Sequence, residues 1–264
     1  MTKEERHATI LNMLMQHDNI LVTELSELLN VSSVTIRKDL TELEKESKLY
    51  RNHGKAILIN PYINNRSVNE KEKLNIEEKN EIGKFGASLI NKNDSIIIAS
   101  GTTVHALARN MHPDDSDKLT VITASLEVAE ILSKLHNVDI IVLGGILRHS
   151  SLSVVGKFAE STLANFSCST LFLGVDGIDL EYGITTTDVR EALLNRAMIE
   201  SAQKVVVLAD SSKFGRRGFS KIAGLDEIDR IITDSNVSHV VVDKLSAMGI
   251  EITITGSDVG KGGN

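Results

Sequence analysis

The sequence predicts an α/β protein of two unequal domains, and three observations carry that expectation. Apolar residues recur at helical spacing near the start of the chain. Short β-branched runs separated by helix-length segments fill the chain from Asp94 onward, and a charged, asparagine-rich stretch containing Pro61 lies between the two textures. With 264 residues, 41% of them hydrophobic, each part can bury a core of its own.

The first elements follow from caps and periodicity. Thr2 and Glu5 have capping-box spacing, and Ile10, Leu11, Leu14 and Met15 form a stripe, so residues 3–16 read as a helix. Residues 19–22 read as a short extended link. Thr23 is the expected cap of a second helix with Leu25, Leu28 and Leu29 facing inward, and Asn30 is its stop. A serine cap then opens a third helix within VSSVTIRKDLTELEK. Ile36, Leu40 and Leu43 mark its packed side, while Val34, Arg37, Lys38, Thr41 and Lys45 fall on the other.

Residues 49–59 alternate basic and apolar side chains around His53 and Gly54, as a two-stranded wing would. Helix, helix-turn-helix and wing together make a winged helix-turn-helix DNA-binding domain over residues 1–59. An apolar side chain facing away from the packed stripe suits a thymine methyl in the major groove, which singles out Val34. Ser33, Val34, Thr35 and Lys38 are the expected base-edge contacts and Arg37, Arg51 and Lys55 the phosphate contacts; Ser32 and His53 complete the interface.

A net charge of -7 argues against non-specific coating of nucleic acid. From Ser33 to Lys55, six cations (Arg37, Lys38, Lys45, Lys48, Arg51, Lys55) face four acids (Asp39, Glu42, Glu44, Glu46). So modest a footprint calls for two or more copies per complex, hence a homo-oligomer. Three Tyr, six Phe and no Trp disfavour stacking on single strands and leave duplex DNA as the partner. The single cysteine, Cys168, excludes an internal disulfide and a multi-cysteine metal site, reads as a buried small hydrophobe, and suits a reducing cytoplasm. No metal site is expected. The N-terminus lacks an apolar signal core, and no run reaches the length of a membrane span, so a cytoplasmic protein with no membrane partner is expected.

Residues 60–80 read as a linker and connecting helix, and the run NEKEKLNIEEKN within them as a solvated charged face. Residues 81–255 form the second domain, and residues 256–264 read as a disordered tail. Strands are expected at 95–99, 119–123, 139–143, 170–175, 204–209, 230–233 and 251–254. Several are apolar throughout, as strands covered on both faces must be, which predicts a doubly wound α/β domain.

Ligands of such sheets bind beyond the carboxyl ends of the strands. There the chain carries SGTT at 100–103, TAS at 123–125, GGILR at 144–148, DGID at 176–179 and GITT at 183–186, with Asp188 and Glu191 on the next helix and Asp210 and Lys213 after VVVLAD. A helix start with two threonine hydroxyls suits a phosphate, paired glycines admit a ligand to the backbone, and Arg148 can clamp a phosphate bidentately. Neither GxGxxG nor GxxxxGK[ST] is present, so no nucleotide cofactor is indicated.

RHATIL, VTELSELLNVSSVTIRKDLTELEK and YRNHGKA resemble the N-terminal signature of the DeoR family of bacterial transcription regulators. SGTT, GG-x-LR, FLGVDGID, GITT, RAMIE and ADSSKFGR resemble its effector-binding domain, which is similar in fold to sugar-phosphate isomerases and binds phosphorylated sugars. The resemblance covers nearly all of residues 3–254 and looks strongest to the branch controlling N-acetylgalactosamine and galactosamine use. Carried over by position, it implies an effector site of Gly101, Thr102, Thr103, Ser125, Gly144, Gly145, Arg148, Asp176, Gly177, Thr186, Glu191 and Lys213, with an amino-sugar phosphate as effector. The chain departs from the family at Lys55, Ala99 and Asn195, where many members have glycine, aspartate and lysine.

The expected function is a repressor of a carbohydrate-utilisation operon whose operator binding is modulated by a phosphorylated sugar. The alternatives are an isomerase- or deaminase-like enzyme with a DNA-binding appendage, since Asp176 and Glu191 can transfer protons, and a constitutive DNA binder that has lost its effector.

Overall fold

A computed structural model describes residues 1–16, 19–46, 48–52, 55–58, 67–114, 116 and 118–256. His53, residue 59 of the expected DNA-binding domain, residues 60–66 of the expected linker and residues 257–264 of the expected tail lie outside the described residues. No helix among the described residues is long and apolar enough to cross a membrane.

The N-terminal domain contains α1 (Lys3–Gln16), β1 (Asn19–Leu21), α2 (Val22–Leu28), α3 (Ser33–Lys45), β2 (Leu49–Asn52) and β3 (Lys55–Leu58). The Thr2 N–H donates to Glu5 Oε2 at 2.8 Å and the Glu5 N–H to Thr2 Oγ1 at 3.2 Å, the reciprocal cap expected from their spacing. The link at 19–22 is itself a strand: β1 joins the wing in an antiparallel sheet of order β1-β3-β2, with Ile20 opposite Ala56.

Two expectations for α2 fail. Thr23 is not its cap, because the helix already starts at Val22 and the Glu24 carboxylate accepts the Leu21 N–H at 2.9 Å. Leu28 does not face inward but is 66% exposed. At about 100° per residue, Val22 and Leu29 lie on one side of Leu25 and Leu28 on the other, so only the first three share an arc. Asn30 ends the segment in the left-handed region, with φ 51°.

Ile36, Leu40 and Leu43 of α3 are fully buried against Ile10, Leu25 and Leu49. Buried beside them is Asp39, whose carboxylate accepts from Arg6 Nη2 at 2.8 Å and lies 3.2 Å from His7 Nε2. Burial pushes that carboxyl up, but the Arg6 and His7 contacts outweigh it and hold it below the usual range. An apparent acid of the DNA-binding surface is thus an internal tie between α1 and α3.

The second domain runs α4 (Val68–Glu72), α5 (Ile76–Ala87), β4 (Ser95–Ile98), α6 (Thr102–Arg109), β5 (Leu119–Thr123), α7 (Leu126–Leu132), β6 (Val138–Val142), β7 (Ile146–Arg148), β8 (Ser153–Val155) and α8 (Lys157–Leu163). It continues with β9 (Cys168–Gly174), β10 (Gly177–Asp179), β11 (Gly183–Thr186), α9 (Val189–Glu200), β12 (Ala202–Leu208), β13 (Ser220–Ala223), β14 (Arg230–Asp234), α10 (His239–Ala247) and β15 (Glu251–Thr255). All seven expected strands pair in one parallel sheet of order β15-β14-β12-β9-β4-β5-β6.

Alternate residues of each strand enter opposite cores, as the period of two requires. Ile96, Ile98, Phe172, Val206 and Ile232 pack with Ile82, Leu107 and Leu132 of α5, α6 and α7. Ile97, Leu171, Leu173, Val207 and Ile231 pack with Leu163, Met198 and Leu245 of α8, α9 and α10. Cys168 is buried at the start of β9, where desolvation pushes its thiol up.

The chain runs one way from β4 through β5 to β6 and the other way from β9 through β12 to β15. The topological switch point therefore lies between β4 and β9, where a ligand crevice is expected. Next to it the stretches read from sequence as loops, 176–179 and 183–186, form a small antiparallel sheet, β10-β11-β13. Glycine makes this possible: at Gly183, with φ 104°, a Cβ would lie 2.2 Å from the Ala223 carbonyl oxygen.

Residues 67–80, expected within the linker and connecting helix, form α4 and the first part of α5. They dock on the sheet domain, where the Val68 N–H donates to Ser150 O at 2.7 Å.

Candidate functional site

A cleft partly open to solvent occupies the switch point. Its floor comes from the ends of β4 and β9: Ser100 and Gly101 lead into α6, Gly174 closes β9, and Val175 and Asp176 follow it. Thr102 and Thr103 form the first turn of α6, whose opening N–H groups have no partner within the helix and carry its positive end. Gly101, with φ 126°, makes the turn that brings them there.

The walls supply charge. Arg148, on β7, is buried and donates from Nε to Asp188 Oδ2 at 3.1 Å and from Nη1 to Glu191 Oε1 at 3.2 Å. The Thr186 hydroxyl lies 3.1 Å from Asp176 Oδ2 and 3.2 Å from Glu191 Oε2, so its one proton serves either carboxylate. Lys71, on α4, donates to Asp176 Oδ1 at 2.6 Å, and the Thr187 N–H donates to Asp176 Oδ2 at 3.2 Å. Burial pushes the Asp176 carboxyl up, but the Lys71 and Lys213 ammonium groups more than offset it and hold the group below the usual range. Asp188, raised by burial but lowered by Arg190 and Arg148, falls to about 2.

Eight of the twelve expected effector residues come together here: Gly101, Thr102, Thr103, Arg148, Asp176, Thr186, Glu191 and Lys213. Four do not line the cleft. Ser125 is fully buried and caps α7, accepting the Val128 N–H at 3.3 Å, with His105 Nε2 also 3.3 Å away. Gly145 and Gly177 serve backbone packing: a Cβ would come 2.7 Å from Val155 O at the first and 2.3 Å from Arg216 O at the second. Gly144 is exposed and borders open space.

Sequence reasoning missed Val68, Lys71, Ser150 and Ser151, and named Asn195 only as a departure from the family; all five line the cleft. The charged run read as a solvated face contributes Lys71 to the cleft and buries Lys79, whose ammonium donates to Lys71 O and Leu74 O at 2.5 and 2.6 Å. Its Asn75 donates to Asp210 Oδ1 at 2.9 Å. Nothing local marks Lys71 or Asn75, because their partners lie 105 to 137 positions away.

On the DNA-binding domain, Ser32 caps α3, accepting the Thr35 N–H at 3.2 Å. Val34 is 73% exposed, and Arg37, Lys38 and Lys55 are exposed as well. Ser33 and Thr35 are half-buried, with hydroxyls 3.4 Å from Ser26 Oγ and 2.9 Å from Ser32 Oγ. Arg51, expected on a phosphate, is tied instead to the buried Glu44: its Nε donates to Oε2 at 2.8 Å, bracing β2 against α3.

Comparison with known proteins agrees with this arrangement. Residues 6–62 match the DeoR-like helix-turn-helix domain and residues 74–235 the DeoR C terminal sensor domain. The chain is 37% identical to the HTH-type transcriptional repressor GlcR of Bacillus subtilis, over 99% of this chain and 100% of that one. It is 38% identical to a putative aga operon transcriptional repressor of Escherichia coli O157:H7, over 96% and 94%. The glycerol-3-phosphate regulon repressor of Escherichia coli K12 is 29% identical over 96% and 100%. Ribose 5 phosphate isomerase A from Neisseria gonorrhoeae superposes on 55% of this chain and 54% of its own at 14% identity and a TM-score of 0.38, an overlap too low to bear on function. The chain belongs to the DeoR family of helix-turn-helix transcription regulators.

Proposed function

We propose that the protein is a cytoplasmic, homo-oligomeric repressor of a carbohydrate-utilisation operon, and that a phosphorylated sugar in the cleft modulates its grip on operator DNA. The observation that carries this reading is the switch-point cleft, which the start of α6 and three cations, Lys71, Arg148 and Lys213, line together. Asp176 and Glu191 supply acceptors for sugar hydroxyls. An amino-sugar phosphate fits this mixture, its phosphate toward α6 and its ammonium toward the carboxylates.

The output end is α3. Val34 and Lys38 read base edges, with Ser33 and Thr35 beside them, while Arg37 and Lys55 contact phosphates. The modest local charge is supplemented by a second copy on a second half-site.

The protein acts as a regulator and not as an enzyme. Of the two carboxylates able to transfer protons, Asp176 sits below the usual carboxylate range, whereas a general base works best with a pKa near the operating pH, and Glu191 is engaged by Arg148 and Thr186. The test is an operator-shift assay on the DNA upstream of the protein's own gene, with sugar phosphates and the same sugars unphosphorylated. Release or tightening by a phosphorylated sugar alone is expected. Indifference to every sugar phosphate, with intact operator binding, contradicts the effector half of the proposal.

A further inference from the structure

The short helix α4 is the first described element after the DNA-binding domain, and it lies against the cleft. Its side chains hold it there with little apolar contact. Val68 is buried, whereas Asn69 and Glu70, and Lys73 and Leu74 just past its end, are exposed. The rest of its seat is polar: the Val68 N–H on Ser150 O, Lys71 on Asp176 at 2.6 Å, and Glu72 on Arg109 Nη1 at 3.1 Å. Such contacts are strong when dry and paired, but a competing anion can exchange them.

The far end of α4 is fixed differently. Lys79 reaches back from α5 to hold the Lys71 and Leu74 carbonyl oxygens, and Asn75 turns the chain in the left-handed region at φ 52°. Helix α5 is immobilised by packing: Ile82 is fully buried, and a Cβ at Gly83 would lie 2.5 Å from the Ala106 carbonyl carbon. One end of α4 is thus pinned to a rigid helix, and the other continues toward the DNA-binding domain.

An anion entering the cleft meets three cations, each with a carboxylate nearby. Arg148 and Lys213 are carried on the sheet domain's own later elements, whereas Lys71 alone of the three is carried on α4. We propose that Lys71 on α4 is the reporting residue of the cleft: an anionic ligand draws its ammonium away from Asp176, and the resulting shift of α4 passes to the DNA-binding domain. This rests on the sugar-phosphate reading above and adds the residue through which occupancy is felt. A ligand held by Arg148, Lys213 and α6 alone would bind the two arrangements of α4 equally and shift nothing. Lys71 supplies the differential contact.

The experiment uses the full chain, its own upstream DNA, and a panel of hexosamine, hexose and pentose phosphates with inorganic phosphate as control. Two quantities are read: the thermal shift caused by each ligand, and the ratio of operator Kd with and without saturating ligand. Wild-type protein is expected to give a thermal shift and a ratio of at least about tenfold with one sugar phosphate. In Lys71→Met the thermal shift persists, because Arg148, Lys213 and α6 remain, but the ratio falls below about twofold; Lys71→Arg, which can still pair, restores most of it.

Hydrogen exchange on wild-type protein supplies a readout that needs no variant: amides of residues 68–73 change protection on ligand addition while those of α5 do not. A wild-type ratio in Lys71→Met at saturation, or unchanged exchange in α4, overturns the inference and leaves the effector reading standing. Absence of any thermal shift in wild-type protein overturns both.

Discussion

The two working regions of this protein handle positive charge in opposite ways. On α3 the side chains of Arg37 and Lys38 stand exposed, and among the described residues no carboxylate pairs with either. In the cleft, Arg148 is buried against Asp188 and Glu191, and Lys71 is held by Asp176. The first arrangement keeps cations ready for phosphates and loses little when they are removed. The second neutralises them in advance, so any ligand must take them from an existing partner. The difference separates a surface that attracts from a pocket that discriminates.

The largest effect expected from breaking this contrast is in the cleft. Arg148→Ala leaves Asp188 and Glu191 without their shared guanidinium in a largely buried setting, and should destabilise the sheet domain by on the order of 3 kcal/mol in denaturant titration. Arg37→Ala is the counterpart outside. It should leave stability within about 0.5 kcal/mol while weakening operator and random DNA alike, and lower the slope of log affinity against log salt by about 1. A stability loss as large as that of Arg148→Ala would erase the contrast.

A finer effect is expected at Val34. Val34→Ala should cost about 1 kcal/mol of discrimination between operator and random DNA with an unchanged salt slope; equal losses on both sequences would remove its base-reading role. A separate effect, read against pH, concerns Lys79, whose burial lowers its pKa to about 8 from an ordinary value near 10.5. Between those values the unfolded chain binds more protons than the folded one, so this residue's contribution to stability rises with pH from about 8 to 10.5 and is flat below. Stability curves of wild type and Lys79→Met should diverge over that window and run parallel beneath it.

The same contrast explains what the sequence could disclose. Ile36, Leu40 and Leu43 are spaced by the helix itself, so the packed and reading sides of α3 were legible, and the seven strands announced themselves because strands covered on both faces are apolar throughout. Where an arc was narrow, as at Leu28, the same periodicity misled. The residues at the β4 and β9 ends were found because the fold class says where ligands sit. Lys71 was not, since a lysine in a charged run looks solvated until a partner 105 residues away is seen beside it, nor was Lys79, whose partners are backbone carbonyl groups that leave no mark in the side-chain pattern. Gly145 and Gly177 resembled ligand-approach glycines, yet the neighbouring backbone already fills the space a Cβ would need. Asp39 and Arg51 looked like surface charges and prove to be struts to Arg6 and Glu44.

The most direct test of the central claim is reciprocity between the two regions. If cleft occupancy and operator binding are coupled, the sugar phosphate's Kd measured on free protein and on protein saturated with operator must differ by the same factor as the operator's Kd with and without ligand. We expect that factor to be about tenfold or more and equal in both directions. An identical sugar-phosphate Kd on free and operator-bound protein would contradict the account.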